Sequence, residues 1–199
     1  MLVGERVRAI CYFTIDYRRD ELHPELIGSG PRTITDGYEW TDPPWRFDGF
    51  DAMDYGFEVI TESGATFSVT WDPPGDHEGI GLQPVQMIGS GVRSDADVAI
   101  WVLAGRTGPW APMIGRLVTA VDLHYLPWNE ESGSQWCPHI TLHGEQGTID
   151  VVMGDSRDGT LVPSADNVAV LHHSDSLPAW LRFDDRRPSS DHLERERIE

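Results

Sequence analysis

The sequence predicts a mainly β fold, either a β-sandwich or a partly open barrel, with about one helix. Two stretches carry this prediction, residues 56–71 and residues 136–153, and each has the pattern of a β-hairpin. Both hairpins consist of short runs of β-branched and aromatic residues around a glycine-containing turn, which is typical of antiparallel strands. An apolar run precedes each hairpin, at residues 7–15 and 117–126. Two similar halves of this kind most simply form a sandwich or an open barrel, and they indicate a possible internal duplication.

The second hairpin has one apolar and one polar face. Ile140 and Leu142 fall on one face because side chains alternate along a strand. The polar residues on the opposite face are His139, Thr141 and His143. Pro138 cannot donate a hydrogen bond within a sheet, so we expect pairing to begin just after it. The glycines at the two ends of residues 144–147 provide the turn.

The first hairpin repeats the apolar positions but not the polar ones. Phe57 and Val59 correspond to Ile140 and Leu142, with a turn glycine following in both copies. The polar positions differ, since Glu58 and Ile60 stand in the first copy where Thr141 and His143 stand in the second. The recurring feature is therefore the packing face, and we expect function to lie on the differing face or in the loops.

The helix is predicted at residues 94–104. Ser94 can cap its amino terminus, acidic residues occupy the first turn, and Gly105 ends it. A strand remains the alternative here, because β-branched residues recur at alternate positions.

The chain length favours one domain, residues 1–183. Residues 184–199 are charged and nearly free of large apolar side chains, so we expect a mobile tail.

No apolar run approaches the roughly 20 residues that span a bilayer, and residues 1–8 lack the apolar centre of a signal peptide. The two cysteines are too few for a disulfide framework, and Cys11 reads as a small core residue. A cytoplasmic location is the simplest interpretation.

The charge is strongly acidic. Thirty-three acidic residues face fifteen basic ones, all of them arginine, for a formal charge of −18. This surface disfavours nucleic acid and anionic membranes, and it leaves room for a basic protein partner. The alternative is that the charge only maintains solubility. No cofactor is predicted, because Gly79 and Gly81 lack the helix start and the lysine of a phosphate-binding loop.

The most promising interaction surface is a loop at residues 38–55 that is dense in aromatic residues and aspartates. Exposed aromatic side chains on loops often mark binding surfaces. The predicted interaction residues are Trp40, Asp42, Trp45, Phe47, Asp48, Phe50, Asp51 and Asp54. The alternative is that Trp40, Trp45 and Phe50 close the open end of the sheet stack.

A second class of function is a metal-dependent or small-molecule-binding enzyme with a cavity in the barrel. Its candidate residues are Asp122, His124, His139 and His143, which share a face if their strands pair in register. Three imidazoles and one carboxylate suit zinc or a non-haem metal. Nucleophilic catalysis has less support, because Cys137 and His139 should lie on one face but about 7 Å apart.

Four segments resemble uncharacterised β-rich proteins from high-GC bacteria. These segments are Val118-Thr-Ala-Val-Asp-Leu123, Pro138-His-Ile-Thr-Leu142, Gly147-Thr-Ile-Asp-Val151 and Asp166-Asn-Val-Ala-Val170. The resemblance covers roughly the second half and implies no activity. Compact acidic bacterial proteins also include immunity proteins that neutralise basic toxins, an analogy of class only. The leading hypothesis is therefore a non-enzymatic protein-interaction module.

Overall fold

The computed structural model describes residues 1–72, 77–103, 108–129, 134–178, 181 and 195–198. It confirms a mainly β fold with the form of a partly open barrel, built from one strongly curled sheet. The strands are β1 (Val7–Ile15), β2 (Arg32–Ile34), β3 (Arg46–Phe47), β4 (Phe50–Met53), β5 (Gly56–Thr61), β6 (Thr66–Asp72), β7 (His77–Gln83), β8 (Val98–Leu103), β9 (Val118–Asn129), β10 (Ser134–Gly144), β11 (Gly147–Arg157), β12 (Thr160–Leu171) and β13 (Arg195–Ile198).

Helical structure is confined to short segments in the described residues. The α-helix α1 is Arg19–Leu22, and single 3₁₀ turns occur at Pro24–Leu26, Tyr38–Thr41, Gly108–Trp110 and Ser174–Ser176. Within the described ranges, no helix is long and apolar enough to cross a membrane.

The sheet branches at β10. Eleven strands follow one path, in the order β2-β8-β1-β5-β6-β7-β10-β11-β12-β4-β3. One edge of β10 pairs in parallel with β7 through residues 135–137 and then antiparallel with β11 through residues 139–144. The other edge pairs with β9, which in turn pairs with β13. The two halves of the chain are joined by this pairing of β7 with β10 and by the antiparallel pairing of β12 with β4.

The two halves have the same topology. The series β1-β5-β6-β7 and the series β9-β10-β11-β12 are both antiparallel throughout. The equivalent pairs are Phe57–Val69 and Val59–Phe67 in the first half, and Ile140–Val151 and Leu142–Ile149 in the second. The correspondence of Phe57 and Val59 with Ile140 and Leu142 therefore extends to how the two hairpins pair. Descent from one duplicated unit stays a prediction.

The apolar faces of both halves meet in one core. Ile10, Phe57, Val69, Ile140 and Val151 all belong to it and are buried. Indole and phenol rings fill the space between the strands, with Tyr12, Trp45, Trp101 and Trp110 at most 2% exposed. The interior is therefore filled with side chains.

Residues 98–103 form strand β8, so the helix predicted there is wrong and the strand alternative is right. The segment lies between β1 and β2, where it pairs on both sides. Val98, Ala99, Trp101 and Leu103 are buried. A strand apolar on both faces has no alternation to distinguish it from a helix, which explains the error.

Strand β10 begins at Ser134, before Pro138, and not after it as predicted. The register shifts between Trp136 and His139, so Pro138 lies at a β-bulge. The backbone N–H that proline lacks is not needed for strand pairing at such a position. Because of this bulge, Cys137 packs in the core while His139 lies on the opposite face. The expectation that these two side chains share a face is therefore wrong.

The sequence predicts a loop at residues 71–81 from its prolines and glycines, but residues 71–72 end β6 and residues 77–81 belong to β7. The glycines at positions 79 and 81 hide the strand pattern of β7. In the predicted mobile tail, residues 184–194 and 199 lie outside the described residues, and residues 195–198 form β13.

Candidate functional site

An open cleft of about 510 Å³ lies beside strand β4. Three parts of the chain line it: the end of β1 with Tyr17, the segment from Pro44 to Asp54, and the tip of the β11–β12 hairpin. We call it the acidic cleft and define it by Tyr17, Trp45, Phe47, Asp54, Asp155 and Asp158. The described residues that line it include three carboxylates and no arginine or histidine.

The aromatic side chains of the predicted interaction loop pack inward. Trp45 is 1% exposed and forms edge-to-face contacts with Trp40 and Trp101, at centroid distances of 5.8 Å. Phe50 is also buried, and Phe47 stacks on it at 5.1 Å. The expectation that these rings are exposed is therefore wrong for Trp45 and Phe50. Packing against the sheet removes more of their apolar area from water than an exposed loop would. Trp45 and Phe47 nevertheless line part of the acidic cleft.

Of the four aspartates in the same loop, one is in the interior, two are exposed outside the cleft and one lines the cleft. Asp51 is 1% exposed and accepts hydrogen bonds from Tyr12 (2.9 Å) and from His172 Nε2 (3.0 Å), so it belongs to the interior. Asp42 is exposed and forms a surface ion pair with Arg18. Asp48 is exposed outside the cleft lining, and Asp54 is in the cleft.

Asp54 is the best-supported carboxylate of the cleft. Its Oδ1 accepts a hydrogen bond from the Tyr17 hydroxyl (2.6 Å), and its Oδ2 accepts one from the Ile15 backbone N–H (2.8 Å). Burial raises the pKa of Asp54 above its ordinary value, these hydrogen bonds oppose the rise, and the charge of Asp155 adds to it. Asp54 and Asp155 therefore act on each other across the cleft.

Asp155 and Asp158 come from the β11–β12 hairpin. Asp158 and Gly159 form its two-residue turn, with φ values of +52° and +76°. Asp-Gly is the preferred sequence for a turn in which both central residues have positive φ. These two aspartates and Tyr17 are the cleft residues that sequence reasoning missed, and the Asp-Gly pair was the available signal.

The residues predicted to bind a metal lie together on the outer face of the second half. His124 is paired with His139 in the β9–β10 register, and their rings stack at 4.1 Å with an angle of 5° between their planes. His139 Nε2 lies 2.9 Å from Asp150 Oδ1, and the Thr141 hydroxyl donates to the same oxygen at 2.8 Å. The candidate residues therefore share one face of the sheet, as predicted for strands that pair in register, and Asp150 lies beside them.

The remaining two metal candidates form a separate pair. His143 Nε2 lies 2.9 Å from Asp122 Oδ2, and Asp122 is fully buried. Parallel stacked imidazoles direct their ring nitrogens along parallel lines, which does not suit convergence on one tetrahedral ion. Among the described residues, no group of three His, Cys, Asp or Glu side chains is arranged to hold a metal. The geometry gives the predicted metal site no support.

Asp150 is held in its ionised form by several hydrogen bonds acting together. Burial would raise the pKa of Asp150, but hydrogen bonds from His139, Ser174 and Thr141 outweigh it, so its pKa lies below the ordinary value. The acidic cleft is lined by none of these residues. The group is thus a hydrogen-bonded polar layer in the sheet, apart from the cleft.

Cys11 lies in the interior, as predicted. It is 5% exposed, and burial followed by the nearby charge of Glu58 raises its pKa to about 12. A thiol with this pKa is protonated at neutral pH and is a poor nucleophile.

Comparisons of the chain with protein-family models, with curated proteins and with solved structures found no significant match.

Proposed function

We propose that this chain is a non-enzymatic binding protein whose partner is a basic protein, and that the acidic cleft forms part of the contact surface. The observation that carries the proposal is the composition of the cleft, with three carboxylates, Trp45, Phe47 and an exposed tyrosine around an open volume of about 510 Å³. The carboxylates favour cationic groups through charge attraction.

The charge of the whole chain supports the same partner class. A formal charge of −18 attracts a basic protein over distances comparable to the Debye length and accelerates encounter. A basic toxin neutralised by an immunity protein is one form that such a partner could take. The two cysteines are both buried and form no disulfide, which is consistent with a reducing compartment, so we propose a cytoplasmic location.

The alternative is a metal-dependent or small-molecule-binding enzyme that uses Asp122, His124, His139 and His143. These histidines are already engaged in hydrogen bonds to buried aspartates or in ring stacking. The open cleft lies elsewhere in the molecule. Equimolar metal in untagged purified protein, measured by ICP-MS, would favour this enzyme over the binding protein.

Purification of the tagged chain from its native host at low salt tests the proposal. We expect a stoichiometric protein partner with a positive net charge that dissociates at high salt, because screening weakens charge attraction. The double substitution Asp155→Asn/Asp158→Asn should reduce its recovery. The matched control Asp20→Asn/Asp36→Asn changes the net charge equally at two exposed positions outside the cleft and should leave recovery unchanged. Recovery of no stoichiometric partner would contradict the proposal.

A further inference from the structure

We infer that residues 84–96, which we call the strap, cover the outer face of the first half and open when Glu58 loses its proton. The strap connects β7 with β8. Three features support this device: the way the strap is anchored, the surroundings of the Glu58 carboxyl group, and the hydrogen bond between the two. The described residues that line the acidic cleft include none from the strap, so the device is independent of the proposed function.

The strap is held to the sheet by a small apolar cluster of its own. Met87 and Val92 are at most 2% exposed, and they pack with Cys11, Phe13 and Val98. This cluster is separate from the main core of the molecule. Most other strap positions are exposed, namely residues 84–86, 89–91 and 93–95. Lifting the strap therefore uncovers a few apolar side chains and leaves the main core closed, as in local opening of a fold.

The strap has a compact shape that can move as a unit. Within it, the Val92 N–H donates to the Met87 carbonyl at 2.8 Å, and the Gly89 N–H donates to the Val92 carbonyl at 2.7 Å. Just after the strap, the Asp97 carboxylate accepts hydrogen bonds from the buried Arg19 guanidinium and from a backbone N–H. The strap can therefore lift while its own bonds and the bonds at its end stay intact.

Glu58 lies beneath the strap in a site that does not suit a charge. It is 8% exposed on β5, and its neighbours across the two strand pairings are Cys11 of β1 and Ser68 of β6. Both neighbours are buried and uncharged at neutral pH, since burial raises the pKa of Cys11 to about 12. An ionised carboxylate in such surroundings is costly unless it is paired.

The charged groups around this site do not compensate for the Glu58 charge. Residues 84–92 of the strap carry no charged side chain. Arg93 and Asp95 form an exposed ion pair with each other at 3.1 Å. Arg8 of β1 is exposed, and Tyr55 lies half-buried at the margin of the apolar cluster. Burial raises the pKa of Glu58, and the opposing influence is the backbone N–H of Met87.

One hydrogen bond connects the Glu58 carboxyl group with the strap. The Met87 N–H donates to Glu58 Oε1 at 2.7 Å. A neutral carboxyl group keeps this bond, because its carbonyl oxygen still accepts. The ionised group keeps the bond too, but one neutral donor does not replace the hydration that a carboxylate loses. Lifting the strap restores that hydration. Proton uptake therefore favours the closed strap, and proton loss favours the open one.

The direction of the pH dependence follows from the two states of Glu58. In the closed state burial raises its pKa above 4.5, and in the open state the carboxyl group is in water and has its ordinary value. The ratio of open to closed strap should therefore rise with pH between these two values. The rise is tenfold for each unit by which the two pKa values differ, and the ratio is constant at higher pH.

Cysteine labelling of the full chain tests the device. Cys11 lies under the strap and Cys137 lies in the main core, so their labelling separates strap opening from global unfolding. The chain is treated with N-ethylmaleimide between pH 4 and pH 8, and mass spectrometry of its peptides gives the rate at each cysteine. Dividing by the rate in the urea-unfolded chain at the same pH removes the intrinsic reactivity of the thiol. We expect the corrected Cys11 rate to rise about tenfold or more with pH, and the Cys137 rate not to follow it.

Three variants sharpen the test. Glu58→Gln accepts the same Met87 N–H but cannot ionise, so its corrected Cys11 rate should not depend on pH and should lie about tenfold or more below the parent at pH 8. Glu62→Gln neutralises an exposed acid in the turn of the same hairpin and should match the parent. Met87→Ala removes the buried anchor and should label Cys11 rapidly even at pH 4. Continued protection of Cys137 shows that each variant is folded.

Three results would overturn the inference. A pH dependence in Glu58→Gln equal to that of the parent would mean that another group controls the strap. A corrected Cys11 rate that is constant with pH in the parent would mean that the strap does not respond to protons. Equal corrected rates at Cys11 and Cys137 would mean that the strap opens only when the whole fold does. Recovery of a basic partner bears on none of these results, so the proposed function stands or fails separately.

Discussion

Two buried carboxylates, Asp150 and Glu58, occupy polar positions on the outer faces of the two halves and respond to burial in opposite ways. Asp150 accepts hydrogen bonds from His139 and Thr141, which hold its pKa below the ordinary 3.8 despite burial. Glu58 accepts one hydrogen bond, from the Met87 backbone N–H at 2.7 Å, and burial raises its pKa above 4.5. The number of donors around each carboxylate decides which form the fold prefers.

This difference predicts opposite pH dependences for Asp150→Asn and Glu58→Gln. The folded-state pKa of Asp150 is lowered, so its contribution is present above the unfolded pKa and is lost as pH falls through the folded pKa. Asp150→Asn should therefore reduce the free energy of unfolding by about 1–3 kcal/mol at pH 7 and less at acidic pH. The folded-state pKa of Glu58 is raised, so its favourable contribution is lost as pH rises through that pKa. Glu58→Gln should therefore be more stable than the parent at pH 7 and match it at low pH.

Urea unfolding between pH 3 and pH 8 measures both effects, and each variant is the control for the other. Both substitutions neutralise one carboxylate, so a general effect of net charge would move them in the same direction. A loss of stability at pH 7 in both variants would contradict the inference that ionised Glu58 destabilises the folded state.

At the scale of secondary-structure elements, the parallel pairing of β7 with β10 depends on one glycine. Gly79 in β7 has a φ of +111°, and a Cβ at this position would collide with the backbone of Cys137 in β10. The parallel pairing of these two strands lies at this contact. Only glycine combines this φ with so close an approach of the two backbones.

Gly79→Ala should therefore lower the free energy of unfolding by more than about 2 kcal/mol, through both backbone strain and displacement of β7. The control is Gly28→Ala, which also has a positive φ (+74°) but whose Cβ would meet nothing within 4 Å. It should cost only the strain, about 1 kcal/mol. Urea denaturation compares the two, and equal losses would show that the contact with Cys137 contributes nothing.

The elements that the sequence predicts well are those whose pattern is local. The β5–β6 and β10–β11 hairpins have alternating apolar positions and turn glycines, and both form where the sequence predicts them. Strand β8 is apolar on both faces, and β7 contains two glycines, so neither has a clear strand period. Strand β7 also depends on pairing with a segment more than 50 residues away, which no window of sequence contains.

The candidate site was predictable only in part, for the same reason. The loop at residues 38–55 does contribute Trp45, Phe47 and Asp54 to the cleft. Whether its aromatic rings face water depends on the sheet into which they pack, and the sequence alone does not provide that surface. Asp155 and Asp158 reach the cleft because β12 pairs with β4, a contact between distant parts of the chain.

At the scale of the whole molecule, the two halves share one core. Ile10, Val59 and Phe67 from the first half belong to the same buried cluster as Val121, Leu142 and Ile149 from the second. Neither half can expose this face to water without losing burial that is worth about 25 cal/mol per Å² of apolar surface. The structural repeat therefore does not make two independent folding units.

This shared core predicts one cooperative unfolding transition. Tryptophan fluorescence reports largely on the first half, where Trp45, Trp101 and Trp110 are buried, and the amide NMR signals of β9, β10 and β11 report on the second. We expect the two probes to give the same urea midpoint, because partial unfolding of either half would expose the core face of the other. The substitution Leu142→Ala should lower both midpoints together by destabilising the core by about 2–5 kcal/mol, while Val85→Ala, at an exposed position, should change neither. Separate midpoints, or a shift in only the second-half signals, would mean that the halves unfold independently and that the chain is two domains.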